Sequence, residues 1–161
     1  MAEQRPKTRE DVQPIPEGMV PLVRFAMRNL MVPIHNAIHR LSGGRLGKTF
    51  NGSPVCFVTM KGRKTGKLRT IPLIYIPHGE DVLLVASQGG MDVHPAWYRN
   101  LLANPDIEIE VGTEKRAMRA RQASPAEKKE LWPVCEAVYA DFEEYQLRTD
   151  RDIPVMICSP R

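Results

Sequence analysis

The sequence predicts an α+β domain built on an antiparallel sheet that can close into a barrel, and three observations carry the prediction. About six β-prone runs fall between residues 54 and 158, separated by turn residues or by short helices. Helical patterns stand before, between and after them. The 161 residues, 42% apolar and 26% charged, suit one core that hides about 70% of the surface the unfolded chain exposes. A mean hydropathy of -0.34 fits neither an integral membrane protein nor a disordered chain.

Residues 1–18 are charged and carry Pro6, Pro14 and Pro16. With no apolar stretch of signal-peptide type they are expected to form a mobile arm, and the single domain to span residues 19–161 in the cytoplasm. Across residues 19–41, Leu22, Phe25, Ala26, Leu30, Ile34, Ile38 and Leu41 recur near helical spacing, and Pro21 suits a first turn. Pro33 lacks a donor and crowds the turn before it, so it kinks one helix or divides two. Arg24, Arg28 and Arg40 flank the apolar positions. Two readings stay open, a helix docked on its own domain and a basic amphipathic helix on a membrane surface. His35 and His39 share a face at zinc-site spacing, but no acidic or cysteine ligand stands beside them, so no metal is expected. Gly43, Gly44 and Gly47 then end the helical region.

Residues 54–60, the turn Lys61-Gly62-Arg63-Lys64-Thr65-Gly66 and residues 68–76 read as a β-hairpin. Pro77-His78-Gly79-Glu80-Asp81 leads into a third strand over residues 82–87, making a meander. A short helix follows Gly89-Gly90 and ends before Asn104-Pro105. Ile107, Ile109 and Val111 alternate with Glu108 and Glu110, a half-exposed strand whose partner is residues 115–122 across Gly112-Thr113. Ser124-Pro125-Ala126-Glu127 is a capping box opening a helix to about Val138, and residues 153–158 form the last strand. Cys56, Cys135 and Cys158 are odd in number, widely spaced and set in apolar sequence, as buried thiols rather than a disulfide framework.

The net charge of +4 is too small to demand a nucleic acid, but it is unevenly spread. Lys61, Arg63, Lys64, Lys67 and Arg69 crowd together with no acid among them, interleaved with Gly62 and Gly66, while residues 127–144 are acidic. Such a hairpin can clamp a phosphate, each charge-assisted hydrogen bond contributing roughly 1.5 to 3 kcal/mol. No aromatic residue lies between Lys61 and Ile74 to stack a base, so no nucleic acid is expected as partner. A second cluster joins Ala86-Ser87-Gln88-Gly89-Gly90 to Pro95-Ala96-Trp97-Tyr98-Arg99-Asn100, where glycines admit a ligand to the backbone and a helix N-terminus offers free amides.

Taken together, Gly62-Arg63-Lys64-Thr65-Gly66, Arg69 with Pro72-Leu73, the two segments of the second cluster, Trp132-Pro133 and Thr149-Asp150-Arg151-Asp152-Ile153-Pro154 resemble the deazaflavin-dependent nitroreductases. Members of that family bind coenzyme F420 on a split β-barrel related to the flavin-binding oxidases of pyridoxamine phosphate. The resemblance covers residues 19–160 and implies the same fold and cofactor. By position, Arg63, Lys64, Thr65 and Arg69 would hold the cofactor's phosphate and polyglutamate tail, and Thr70, Ile71, Pro72, Leu73 and Ile74 would line its linker and ring. Val85, Ala86, Ser87 and Gln88, with Ala96, Trp97, Tyr98, Arg99 and Asn100, would complete the pocket. The resemblance further implies hydride transfer from F420H2 to a quinone, an activated enone or lactone, or a nitro compound. Ser87, Tyr139 and Tyr145 match positions on the substrate side that could deliver a proton. One departure stands out, since Phe142 replaces a substrate-site tyrosine of the nitroreductase and cannot donate a hydrogen bond. Tyr139, Phe142 and Tyr145 are expected to share one face of a continuing helix. A noncatalytic F420 carrier and an FMN-binding oxidoreductase are the competing readings, and a homodimer and membrane contact through residues 19–41 are further expectations.

Overall fold

The structure is a computed structural model in which residues 7–42 and 49–161 are described. Among the described residues eight strands form one sheet: Thr49–Phe50 (β1), Ser53–Lys61 (β2), Leu68–Ile74 (β3), Ile76–His78 (β4), Asp81–Val85 (β5), Asp106–Val111 (β6), Glu114–Gln122 (β7) and Val155–Pro160 (β8). Every pairing is antiparallel. The order runs β2-β6-β7-β8-β5-β4, with β1 and β3 both paired to β2. Strands β3 and β4 lie at opposite ends of this order, yet only Tyr75 joins them, so the sheet has to curl until its two edges approach. That is the split barrel implied by the resemblance.

Alternation along the strands produces two cores. Cys56, Val58 and Met60 of β2, Val82 and Leu84 of β5, Ile109 of β6, Met118 of β7 and Met156 of β8 fill the barrel interior. The alternate residues Leu83, Val85, Val155 and Ile157 face outward and bury themselves under the helices Pro125–Val138 (α4) and Asp141–Leu147 (α5). The three cysteines are buried and free, and burial pushes the Cys56 thiol up to about 12.

Three local expectations are corrected. The meander is two hairpins, β2–β3 and β4–β5, because the chain leaves one sheet edge at Tyr75 and β5 pairs onward with β8. The helix opened by Ser124 does not continue through Tyr139. It ends there at φ -144°, where Ser53 Oγ donates to Val138 O at 2.9 Å, and α5 begins anew after Ala140. Pro33 neither breaks nor divides the N-terminal helix. Val20–Ala26 (α1) passes into Val32–Leu41 (α2) through a widened π-helical turn, Met27–Met31, which relieves the crowding just ahead of the proline.

This helix does not bury its apolar side against the barrel. Leu22, Phe25 and Leu41 are 66%, 61% and 88% exposed, and Leu30, Ile34 and Ile38 are open as well. Its attachment is through α2, where Asn36 Nδ2 donates to Thr70 O at 2.8 Å. Residues 7–18, expected as an arm, lie near α5 and the loop after it. Val12 is buried, Arg9 Nη2 donates to Thr149 O at 3.1 Å, and Lys7 pairs with Glu144 at 3.3 Å. The side chains of His35 and His39, and Gly43, Gly44 and Gly47, lie outside the described residues. Among the described residues no helix is long and apolar enough to cross a membrane.

Candidate functional site

The basic hairpin turn is folded by backbone bonds, and that leaves its cations free. Gly62 N donates to Lys67 O at 2.9 Å and Gly66 N to Gly62 O at 2.8 Å, with Gly66 at φ 67°. A Cβ on Gly62 would stand 3.0 Å from Thr65 Oγ1 and 3.3 Å from Arg69 Nε, so the turn closes tightly around that glycine. Among the described residues no carboxylate pairs with Lys61, Arg63, Lys64, Lys67 or Arg69. Uncompensated positive charge on a rigid turn fits a phosphate and a run of carboxylates.

From this turn β3 runs as an edge strand, paired with β2 alone among the described residues, and Asn36 of α2 takes the edge-facing carbonyl of Thr70. Tyr75 N donates to Pro54 O at 2.8 Å, so Leu73 and Ile71 also belong to hydrogen-bonded pairs with β2, while Thr70, Pro72 and Ile74 turn their backbone groups to the edge. Pro72 therefore wastes no ladder donor. The side chains divide likewise. Ile71 and Leu73 pack on the barrel interior and turn their backbone groups to β2, whereas Thr70, Pro72 and Ile74 share the outer face. Thr70 and Thr59 hydroxyls bond each other there at 2.8 Å, and Ile74 packs against the outer core beneath α4 and α5.

The second cluster adjoins this wall. Leu83 of β5 lies opposite Ile76, so the chain after Val85 returns toward the level of Ile74 and Pro72. The side chains of Val85 and Ala86 are buried in the two cores, which leaves Ser87 and Gln88 as the polar groups at the strand end. Ser87 is 8% exposed, and among the described residues its hydroxyl has no hydrogen-bond partner. Gln88, Gly89 and Gly90 all take positive φ. In the helix Ala96–Ala103 (α3), Ala96 and Arg99 are exposed, Trp97 is half-buried against the barrel core, and Tyr98 is buried with its hydroxyl donating to Gln122 Oε1 at 2.7 Å. Asn100 links the two clusters, since its Oδ1 accepts from Arg63 N at 3.1 Å and so braces the basic turn.

The three aromatics expected on the substrate side converge despite the helix break. Ring centroids are 5.0 Å apart for Tyr139 and Phe142, 6.3 Å for Phe142 and Tyr145, and 6.1 Å for the two tyrosines, whose hydroxyls lie 3.1 Å apart. Tyr139 and Phe142 are buried, and burial together with the Tyr145 hydroxyl holds the Tyr139 phenol well above its ordinary range. Tyr145 is the more open of the pair. Its own backbone carbonyl would lie 2.6 Å from a Cβ on Gly90, so α5 and the Ser87–Gly90 turn touch.

Sequence reading missed two residues here. Asn36 reaches Thr70 from α2, and its Oδ1 is buried with no partner among the described residues. Arg151 donates to the carbonyls of Ala86, Ser87 and Met91. Arg151 lies in the stretch Thr149-Asp150-Arg151-Asp152-Ile153-Pro154 that carries the resemblance, but a guanidinium serving distant carbonyls leaves no periodicity to detect.

The chain matches the family model described as F420H(2)-dependent quinone reductase over residues 31–160. It is 37% identical over 135 residues to a Mycobacterium tuberculosis F420H(2)-dependent quinone reductase, covering 81% of this chain and 91% of that protein. A second Mycobacterium tuberculosis protein, named for the same activity, is 43% identical over 118 residues, covering 73% of this chain and 99% of the relative. Among solved structures, an F420-H2 dependent reductase (FDR-A) superposes with a TM-score of 0.62 at 36% identity, covering 66% of this chain and 94% of that one. Another, described as a domain-swapped dimer, superposes at 0.64 with 31% identity, covering 78% and 96%.

Proposed function

The chain belongs to the F420H(2)-dependent quinone reductase family, and from that premise we propose that it transfers a hydride from reduced coenzyme F420 to a quinone or a related electron-poor acceptor. The observation that carries the reading beyond the family is the acid-free basic turn joined to the edge strand β3, whose last residue, Ile74, packs into the same outer core as two hydroxyl-bearing aromatics, Tyr139 and Tyr145. When bound, the deazaflavin supplies the hydride from its C5. Arg63, Lys64, Thr65 and Arg69 hold the anionic phosphate and tail. The edge groups of Thr70, Pro72 and Ile74 lie along the linker and ring, and Trp97, Arg99 and Ala96 border the pocket. Tyr145 offers a phenol to the acceptor oxygen as charge develops there, with Tyr139 behind it and Ser87 as a second hydroxyl. Phe142 and the buried part of the aromatic trio exclude water.

The deciding experiment adds F420, then FMN, to the purified protein and follows tryptophan fluorescence, with turnover of F420H2 on menadione measured beside it. Quenching by F420 at low micromolar concentration with turnover is expected. Quenching without turnover on any quinone, enone or nitro compound would make the protein a carrier, and preference for FMN would replace the cofactor.

The exposed apolar row Leu22, Phe25, Leu30, Ile34, Ile38 and Leu41 supports peripheral contact with the inner face of the cell membrane, where a lipid quinone would be met from the cytoplasm. A homodimer is the second assembly in this reading, supported by the dimeric relative. Co-sedimentation of the full chain with anionic vesicles at low salt, lost on deleting residues 1–41, is the expected result, and failure to sediment leaves the row to a second copy of the chain.

A further inference from the structure

Arg151, in the loop between α5 and β8, spends its guanidinium on a different loop. Nε donates to Met91 O at 2.7 Å, Nη2 donates to Ala86 O at 3.0 Å and to Ser87 O at 2.6 Å, and Nη1 meets His94 Nδ1 at 3.2 Å. The partners are three carbonyls and an imidazole, all within the segment from Ala86 to His94. Within that segment Gly90 N donates to Ser87 O at 3.0 Å and Met91 N to Gln88 O at 3.3 Å. Gln88 sits at φ 48°, a conformation that an L side chain takes at a cost and keeps only where the surroundings impose it. Arg148 Nη1 adds a long bond to Gly89 O at 3.3 Å.

We infer that Arg151 is a positioning residue for the reaction: it fixes where Ser87 and the Gln88–Gly90 turn stand against the acceptor, and His94 makes that setting sensitive to acid. The inference rests on the reading of Ser87 as a residue of the acceptor side. Its chemistry is a donor count. A guanidinium only donates, so Nδ1 of His94 has to be the bare, accepting nitrogen for the contact to exist. A protonated imidazole would set donor against donor and positive charge against positive charge. The groups around His94 sharpen this. The Tyr98 ring lies 4.8 Å away, Arg99 adds a second cation from α3, and the carboxylates whose charge reaches Arg151 are bonded elsewhere, Asp92 to Thr149 and Asp152 to Lys128. Burial first, then Arg151 and Arg99, hold His94 below the ordinary imidazole value of 6.5. Asp92 is itself tied to Thr149 Oγ1 at 2.6 Å, which anchors the two loops beside the guanidinium.

The test uses the full chain, F420H2 and menadione, with kcat and KM measured from pH 5 to 8 for the parent, Arg151→Lys and His94→Asn, and F420 affinity read by tryptophan quenching. One ammonium cannot span four acceptors, so Arg151→Lys is expected to lower kcat at least about tenfold while F420 affinity moves less than about threefold. In His94→Asn the amide oxygen accepts where Nδ1 did and does not titrate. That variant should therefore lack the loss of kcat that the parent shows below pH 6.5, and the difference between the two profiles removes any titration of cofactor or acceptor. Superimposed profiles, together with a parental kcat in Arg151→Lys, overturn the inference and leave the proposed reductase standing. A parent that neither binds F420 nor oxidises F420H2 overturns the reductase reading itself. If Arg151→Lys does not fold, the His94→Asn profile decides alone.

Discussion

Two hairpins of this barrel carry dense charge and use it in opposite ways. In β6–β7, Lys115 Nζ lies 3.3 Å from Glu108 and 3.5 Å from Glu110, and Asp106 takes Arg119 at 3.1 Å and Arg161 at 2.9 Å. Cross-strand neighbours neutralise one another there, and the hairpin presents no strong field. In β2–β3, which shares strand β2 with β6, the five cations of the turn have no carboxylate among the described residues. Both turns close on a glycine at positive φ, Gly112 at 62° and Gly66 at 67°, so backbone geometry does not separate them. The difference lies in what was left out. A hairpin folds without unpaired cations, and those of β2–β3 are free to meet an anion that the protein does not contain.

The strongest way to break that comparison is to remove the free charge. Arg63→Ala and Lys64→Ala should each weaken F420 binding by roughly 1.5 to 3 kcal/mol, and the double variant by at least about a hundredfold. Calorimetry at low salt measures this, and adding salt should narrow the gap between parent and variants because the site is exposed. Affinity unchanged in both single variants would show the turn to be an ordinary solvated surface.

Next in size is an effect at the far end of β3. Tyr145→Phe removes the more open of the two bonded hydroxyls and should lower kcat ten- to a hundredfold, about 1.4 to 2.7 kcal/mol, with little change in F420 affinity. Tyr139→Phe should act in the same direction and more weakly, because its hydroxyl is buried behind Tyr145. Stopped-flow traces of F420H2 oxidation separate this chemical effect from binding.

The same two ends mark what the sequence made legible. The basic turn could be read because charge, glycine and the missing acid are local, all within the span from Lys61 to Arg69. The capping box at Ser124 could be read for the same reason, and Glu127 Oε2 does accept from Ser124 N at 2.8 Å. The edge position of β3 could not. It depends on Tyr75 carrying the chain from one end of the sheet to the other, a closure that no window of residues contains. Arg151 was illegible on the same physical ground, since its acceptors are backbone carbonyls about sixty residues away and carbonyls have no identity in a sequence. The open face of the N-terminal helix was half legible. Its amphipathic period was plain, but period alone does not say whether water, a membrane or the barrel lies opposite.

A matched pair of substitutions separates backbone from charge. A Cβ at Gly66 or at Gly112 meets open space, so alanine at either position should cost about 1 kcal/mol of stability, from its positive φ alone. Only Gly66→Ala should also weaken F420 binding, by distorting the turn that presents Arg63 and Lys64. Equal effects on affinity would mean that the position of the free cations does not matter.

The smallest expected effect tests the neutralised hairpin directly. Lys115 is the cation there with two acidic neighbours, and its proton is held more tightly than usual, chiefly by its hydrogen bond to Glu108 and then by the charges of Glu108 and Glu110. The ammonium is open to solvent, and screening leaves such pairs little influence on folding. Lys115→Ala should therefore move the melting temperature by no more than a few degrees and leave F420 affinity within about twofold of the parent. It does, however, take a cation away from Glu108 and Glu110, and β6 pairs with the strand that carries the basic turn, with Thr59 opposite Glu108. If the two hairpins were electrostatically one surface, those carboxylates would compete with the cofactor's phosphate, and affinity would fall in low salt and recover as salt is added. A flat salt dependence of the Lys115→Ala to parent affinity ratio keeps the two hairpins separate, one closed on itself and the other open to the ligand.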